Sequence, residues 1–123
     1  MSSNTQIGQR YEALARDYLQ QHGLTLLEQN YHSRFGEIDL IMFDRQVLCF
    51  IEVKFRKSNA FGGAVSAIPY AKQRKIIKTA QCYISSTPAI VEKPMRFDAL
   101  ILQLESSLSD LNIEWIQNAF YAE

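Results

Sequence analysis

The sequence predicts an α/β fold, in which helices flank a mixed β-sheet in the order α-β-β-β-α-β-β. Two segments place apolar residues at helical spacing, and five apolar runs bounded by turn residues are typical of strands. With 123 residues, of which 47% are hydrophobic, the chain is long enough to bury a core. We therefore expect a single domain spanning residues 1–123.

The N-terminal half is predicted to contain one helix and three strands. Apolar residues recur at helical spacing, and Gly23 then provides a stop signal, so the first helix covers residues 7–22. Gly36 opens the second strand, and the residues "DRQ" form the turn of a hairpin between the second and third strands. The three strands are expected at residues 24–31, 36–43 and 47–55.

The C-terminal half is predicted to contain the second helix and two more strands. Pro69 stands near the start of the helix, apolar residues recur at helical spacing after it, and "SSTP" ends it. The fourth strand is expected at residues 95–103, and a turn leads to a short fifth strand at residues 112–116. Trp115 in that strand is expected in the core or, if the protein forms a dimer, at its interface.

Charge is distributed unevenly along a chain whose formal net charge is zero. Between Val53 and Val91 there is no Asp or Glu, but there are seven bases. Such a run is typical either of a solvated helix face or of a surface that binds phosphate groups. The bases are Lys54, Arg56, Lys57, Lys72, Arg74, Lys75 and Lys78.

Neither export nor membrane insertion is indicated. The N-terminal residues "MSSNTQIGQRYEA" lack a charged segment followed by an apolar one, and no apolar run approaches the ~20 residues that span a bilayer. Cys49 and Cys82 lie in apolar segments without metal-binding spacing, so we expect free thiols. The sequence therefore predicts a cytoplasmic protein without a membrane partner.

The hairpin "GEIDLIMFDRQVLCFIEVKFRK" carries charges in the middle of apolar strands. Since side chains alternate along a strand, Glu37 and Asp39 share one face of the second strand, and Glu52 and Lys54 share one face of the third. Only the register that pairs Asp39 with Glu52 lets the apolar positions of both strands share a face. Directly opposed residues have Cβ atoms roughly 4.5–5.5 Å apart, so we expect the two carboxylates to be neighbours.

Two interpretations of these charges remain open at this point. One is a surface salt bridge in which Lys54 neutralises Glu52 and Asp39. The other, which the convergence of three acids beside one lysine favours, is a site for a divalent cation. Carboxylate oxygens suit Mg²⁺, although such a ligand set does not separate Mg²⁺ from Mn²⁺.

Two polar residues on the predicted helices point to the same region. Glu12 borders the apolar stripe of the first helix, and Gln73 is in line with the core-facing residues of the second. For Gln73 the alternative is that the first turn of a helix lies near the surface, where glutamine is tolerated.

The motifs "GEIDLI", "FIEVKFR" and "AKQRK" resemble those of the bacterial YraN family of small proteins. More distantly, the chain is similar to the PD-(D/E)xK nuclease superfamily, which includes archaeal Holliday-junction resolvases. The resemblance extends over residues 8–102, is most specific in the hairpin, and implies a restriction-endonuclease-like core. The sequence departs from the superfamily's name in having Ile38, not proline, before Asp39.

The resemblance implies hydrolysis of DNA phosphodiester bonds with Mg²⁺ or Mn²⁺. Asp39 and Glu52 would bind the ion, with the Val53 carbonyl as a further ligand, and Lys54 would orient or activate the attacking water. Glu12 matches an acidic position in the family's first helix. The family also places a polar catalytic residue in the helix after the Glu-x-Lys strand, which Gln73 matches.

The expected partner is DNA, held by bases beside the metal, with structured or single-stranded forms favoured because the net charge is neutral. A function in repair or recombination is expected, and resolution of junctions would favour a two-fold dimer. Two alternatives are a nucleic-acid-binding module without turnover and a protein-interaction subunit of a DNA-processing complex. The predicted DNA-binding residues are Arg56, Lys57, Lys72, Arg74, Lys75 and Lys78.

Overall fold

The regular structure follows the predicted order of helices and strands in a computed structural model that describes residues 4–56, 68–104 and 111–122. A single turn of 3-10 helix, Pro88–Ile90, is an addition that the sequence did not predict. The main elements are helix α1 (Asn4–Gln21), strands β1 (Thr25–Ser33), β2 (Gly36–Asp44) and β3 (Val47–Arg56), helix α2 (Tyr70–Ser85), and strands β4 (Met95–Leu104) and β5 (Leu111–Phe120).

All five strands form one mixed sheet in the order β1-β2-β3-β4-β5. Neighbouring strands are antiparallel except for β3 and β4, which are parallel. A parallel pair needs a crossover connection, and α2 lies between these two strands in the chain. The predicted α/β fold with a mixed sheet is therefore confirmed, and it is consistent with a restriction-endonuclease-like core.

Each helix covers one face of the sheet, which makes three layers. The α1 side buries Leu19 against Leu40 and Ile51, and the α2 side buries Ala80 in a cluster with Phe50. The sequence identified one face of β3 as core, namely the face of Cys49 and Ile51. The opposite face, which includes Leu48 and Phe50, is equally buried because α2 covers it. Glu52, which follows on that face, is consequently an interior residue with 5% exposure.

Two smaller observations complete the fold. Cys49 and Cys82 are free thiols, as expected. No helix in the described part of the chain combines the length and the apolar character that crossing a bilayer requires.

Candidate metal centre and nucleic-acid face

The hairpin of β2 and β3 has the register that the apolar pattern predicted. Leu40 pairs with Ile51, and continuing this register by one residue sets Asp39 opposite Glu52. Here the Asp39 side chain is bonded to the backbone of the neighbouring strand. Its Oδ2 atom accepts a hydrogen bond of 2.8 Å from the Val53 N–H. The bond fixes the Asp39 carboxylate between the two strands.

Asp39 and Glu52 interact strongly with each other. Burial, followed by a hydrogen bond to Glu52 and repulsion from its charge, raises the pKa of Asp39 to about 9, although the Val53 N–H opposes the shift. The Asp39 carboxyl is therefore a weaker acid in the folded protein than in water, because burial and the neighbouring Glu52 both disfavour its ionised form. Two carboxylates in such contact ionise together only when a cation neutralises them.

Glu12 of α1 is a third member of this cluster. Burial raises its pKa, a hydrogen bond to the Asn30 side chain lowers it, and the charges of Glu37 and Glu52 raise it further. The Oε1 atom of Glu12 is buried and has no hydrogen-bond partner among the described residues. A buried carboxylate oxygen without a partner is costly, so the site has an acceptor to offer to a ligand.

Asn30 is a residue of this site that the sequence analysis missed. It lies in β1 between the residues paired with Leu40 and Ile38, opposite Asp39, with a backbone φ of 55°. Asparagine is one of the few residues that tolerate this left-handed conformation, which interrupts the strand at the carboxylates. An asparagine inside an otherwise strand-like run was the available signal.

The residue of α2 that reaches the carboxylates is Lys72. Its Nζ atom forms a 2.7 Å ion pair with Oε2 of Glu52, whose side chain is 5% exposed, whereas that of Lys72 is 46% exposed. Burial lowers the pKa of Lys72, but the hydrogen bond to Glu52 and the charges of Glu52, Asp39 and Glu37 together outweigh it, so the pKa is raised. The lysine therefore remains an ammonium ion inside the cluster.

This arrangement corrects the geometry expected for α2. From the sequence, we expected the Gln73 side chain to face the carboxylates and Lys72 to belong to the phosphate-binding surface. Instead, the Gln73 side-chain amide donates a 2.9 Å hydrogen bond to the carbonyl of Ile68, just before the helix. Consecutive helix residues point about 100° apart, so the helix is rotated about its axis by roughly one residue position relative to the expected arrangement.

Of the other basic residues predicted at the end of β3, the structure describes Lys54 and Arg56. Lys54 is half-buried and shares the face of Glu52, but it has no ion pair or hydrogen bond within the described residues. The alternative interpretation, a salt bridge between Lys54 and Glu52, is not what the structure shows, because Glu52 pairs with Lys72. Arg56 ends the strand and is half-buried, and Lys57 lies outside the described residues.

Helix α2 presents a basic surface beside the cluster. Lys72, Arg74, Lys75 and Lys78 are all exposed, which is compatible with both a solvated face and a phosphate-binding one. A groove of about 380 Å³ lies between Glu37 and this helix, and Lys72 and Lys75 line it.

Arg34 extends the basic surface and was not predicted from the sequence. Its guanidinium lies 4.8 Å from the centre of the Phe35 ring, and Nζ of Lys78 lies 5.5 Å from the same centre. Two cations therefore share one aromatic ring next to the start of β2.

The described residues fit a hard divalent cation that takes few protein ligands. No three His, Cys, Asp or Glu side chains in residues 4–56, 68–104 and 111–122 form a ready-made metal cage. However, Mg²⁺ usually takes one or two carboxylates and keeps several waters, so the Asp39–Glu52 pair meets its requirement. The unpartnered oxygen of Glu12 adds an acceptor for such a water.

The protein is an α/β protein whose fold is consistent with a restriction-endonuclease-like core and whose central hairpin carries a carboxylate pair. The chain belongs to the family described as "Uncharacterised protein family UPF0102", whose profile matches residues 11–102. The resemblance to the YraN family, which is this family, is thereby confirmed.

Relatives from several bacteria are similar over nearly the whole chain. A UPF0102 protein of Vibrio parahaemolyticus is 46% identical over 95% of this chain and 93% of its own. A UPF0102 protein of Nitrosomonas europaea is 46% identical over 98% of both chains. One from Alcanivorax borkumensis is 40% identical over 100% of this chain and 98% of its own. These names establish the family and assign no activity.

Proposed function

We propose that this protein is a metal-dependent deoxyribonuclease that uses Mg²⁺ or Mn²⁺ to hydrolyse phosphodiester bonds. The observation that carries the proposal is the contact of Asp39 with the buried Glu52, since the hairpin register brings these two carboxyl groups together at the edge of the core. A purely structural role would not favour two mutually repelling carboxylates in the interior.

Within this proposal each residue of the cluster has a distinct role. Asp39 and Glu52 hold the ion, and the Val53 N–H keeps the Asp39 carboxylate in position through its 2.8 Å bond. When bound, the ion supplies charge neutralisation at the scissile phosphate and lowers the pKa of water. Lys54, on the face of Glu52, orients the attacking water, and Glu12 accepts a hydrogen bond from it.

The remaining residues of the proposal bind substrate or support the site. The exposed bases of α2 contact the phosphate backbone next to the groove beside Glu37. Gln73 acts indirectly, because its bond to Ile68 fixes the entry into α2. The zero net charge favours branched or single-stranded DNA over long duplex tracts, for which a uniformly basic protein would be suited.

The test is cleavage of supercoiled, linear, single-stranded and four-way-junction DNA in Mg²⁺, Mn²⁺ or chelator. We expect metal-dependent cleavage by the wild type and a loss of more than about a hundredfold in Asp39→Asn and Glu52→Gln. Asp17→Asn, which removes an exposed carboxylate of α1, is the matched control and should cleave normally.

Two results would contradict the nuclease proposal in different ways. DNA binding without cleavage in any metal would identify a nucleic-acid-binding module without turnover. Absence of both DNA binding and cleavage would favour a protein-interaction subunit of a DNA-processing complex.

A further inference from the structure

Lys72 occupies the position in which a cation would neutralise Glu52. We propose that Lys72 is an internal competitor of the divalent ion: its ammonium group holds the carboxylate cluster in the metal-free protein and leaves when the ion binds. The inference concerns the regulation of the proposed metal site and therefore rests on the proposed function.

The contact geometry supports competition rather than a permanent salt bridge. Glu52 is almost fully buried, but the Lys72 side chain that pairs with it at 2.7 Å remains about half exposed. The lysine thus extends into the cluster from the solvent side, and a rotamer change is enough to withdraw it. An ammonium on a flexible four-carbon stem is suited to such an exchange.

A single ammonium satisfies this cluster incompletely. Lys72 has one ion pair, with Glu52, while the Oε1 atom of Glu12 is left without a partner among the described residues. A divalent ion brings twice the charge and more ligand positions to the same space. Since the two cations repel each other and both require Glu52, occupation by one excludes the other.

Displacement of Lys72 would also change the substrate-binding surface. Lys72 lines the groove beside Glu37 together with Lys75, so a released ammonium group faces this groove. The exchange therefore adds one phosphate-binding charge at the moment when the metal site is filled. It links ion loading to DNA binding through a single side chain.

The first test is calorimetric titration of Mn²⁺ into DNA-free wild type, Lys72→Met and Lys75→Met. Removal of the competitor should tighten Mn²⁺ binding by about tenfold, the factor expected for loss of one charged hydrogen bond. Lys75→Met is the matched control, because it removes an equal charge from the next turn of the same helix. Its affinity should stay close to that of the wild type.

Each other outcome overturns a specific statement. Equal or weaker Mn²⁺ binding by Lys72→Met, with normal binding by the wild type, rejects the competition alone. An equal gain in Lys75→Met reduces the effect to general electrostatics and also rejects it. If neither the wild type nor Lys72→Met binds Mn²⁺, the metal site of the proposed function fails, and the competition fails with it.

A second measurement uses the wild-type protein and does not depend on how a variant folds. The side-chain ammonium signal of Lys72 should be observable by ¹⁵N-resolved NMR in chelator, because its ion pair with Glu52 slows proton exchange. Addition of Mg²⁺ should convert it to the rapidly exchanging signal of an exposed lysine, while the Val53 amide signal shifts. A Lys72 signal that is unchanged when Val53 has shifted fully would overturn the proposal.

Discussion

Asp39 is the residue whose environment most clearly departs from that of an ordinary surface carboxylate. Its burial and its contact with Glu52 raise its pKa from 3.8 to about 9, although the hydrogen bond from the Val53 N–H favours the charged form. The folded protein therefore binds a proton at Asp39 more tightly than the unfolded chain does. Such a group contributes stability below the unfolded pKa and loses it as the pH rises toward the folded pKa.

The raised pKa of Asp39 predicts how the stability of the protein depends on pH. In chelator, the free energy of unfolding should fall as the pH rises from about 4 to about 9, and Glu12, whose pKa is also raised, adds to the fall. Asp39→Asn should flatten the profile and be at least as stable as the wild type at pH 8, because an amide is neutral at every pH and folding then requires no proton uptake at this position. Denaturant unfolding across this pH range measures both effects.

Glu52→Gln is compared with Asp39→Asn, and Asp17→Asn is the control for both variants. Glutamine at position 52 relieves the repulsion of Asp39 but also removes the partner of Lys72, which is half exposed, so the net change should stay within about 1 kcal/mol. Asp17→Asn should keep the wild-type pH profile. A profile that rises between pH 4 and 9, or a large loss of stability in Asp39→Asn, would mean that Asp39 is a structural carboxylate.

Sequence reasoning reached this pair but not its surroundings. The opposition of Asp39 and Glu52 follows from strand alternation and one register choice, both of which the sequence determines locally. Two other features depend on how whole helices and strands are rotated against each other. They are the position of Lys72, rather than Gln73, beside the carboxylates and the contact of Asn30 with Glu12. Tertiary packing sets that rotation, and no local pattern encodes it.

Strand β4 shows a second polar network at the scale of one element. Asp98 has no solvent exposure, and its carboxylate accepts hydrogen bonds from Nε of Arg96 at 2.9 Å, from the Trp115 indole at 3.0 Å and from the Asn118 backbone at 3.1 Å. Arg96 is also paired with Asp44 at 3.1 Å. The network thereby attaches β5 and the hairpin turn to β4.

This network accounts for the positions of Trp115 and of the last strand. Trp115 was expected in the core or at an interface; it is half-buried against the core on the α1 side, and its indole N–H is bonded to the buried Asp98. The last strand was expected to end at residue 116 but continues to Phe120. It continues because the Asn118 backbone, with φ of 55°, donates to Asp98 and carries the strand past a register shift.

At this scale we predict that Asp98→Asn destabilises the fold by about 3 kcal/mol or more, because the replacement amide nitrogen is a donor facing other donors. Trp115→Phe removes only one of these hydrogen bonds and should cost about 1 kcal/mol for that bond. Denaturant unfolding at constant pH compares the two variants with the wild type.

The proposed metal site supplies an independent control for this prediction. Asp98 is paired in register with Ile51, on the α1 side of the sheet, whereas Glu52 points to the α2 side. Folded Asp98→Asn should therefore bind Mn²⁺ as the wild type does. A stability loss below about 1 kcal/mol would show that the network is not the anchor of β5.

The whole molecule places opposite charges in different environments. Its formal net charge is zero, yet the carboxylates of Glu12, Asp39 and Glu52 lie in or near the interior while the bases of α2 are exposed.

The overall fold was predictable because each helix and strand carries its own periodicity, and a helix between β3 and β4 allows a parallel pair. The burial of both faces of β3 was less evident, since it depends on α2 packing across the sheet.

The last prediction concerns this exposed basic surface and distinguishes DNA binding from simple solvation. If Arg74, Lys75 and Lys78 contact phosphates, replacing each with glutamine should weaken duplex binding independently of sequence. Each replacement should also reduce the slope of log affinity against log salt by about 0.9, since one counterion fewer is released.

Lys93→Gln is the matched control, because Lys93 is an exposed lysine bonded to Gln46 at the hairpin turn. Fluorescence anisotropy with one labelled duplex at several salt concentrations gives all the slopes. Wild-type slopes in the three α2 variants would assign the basic run to a solvated helix face, and a reduced slope in Lys93→Gln would extend the binding surface to the opposite end of the hairpin.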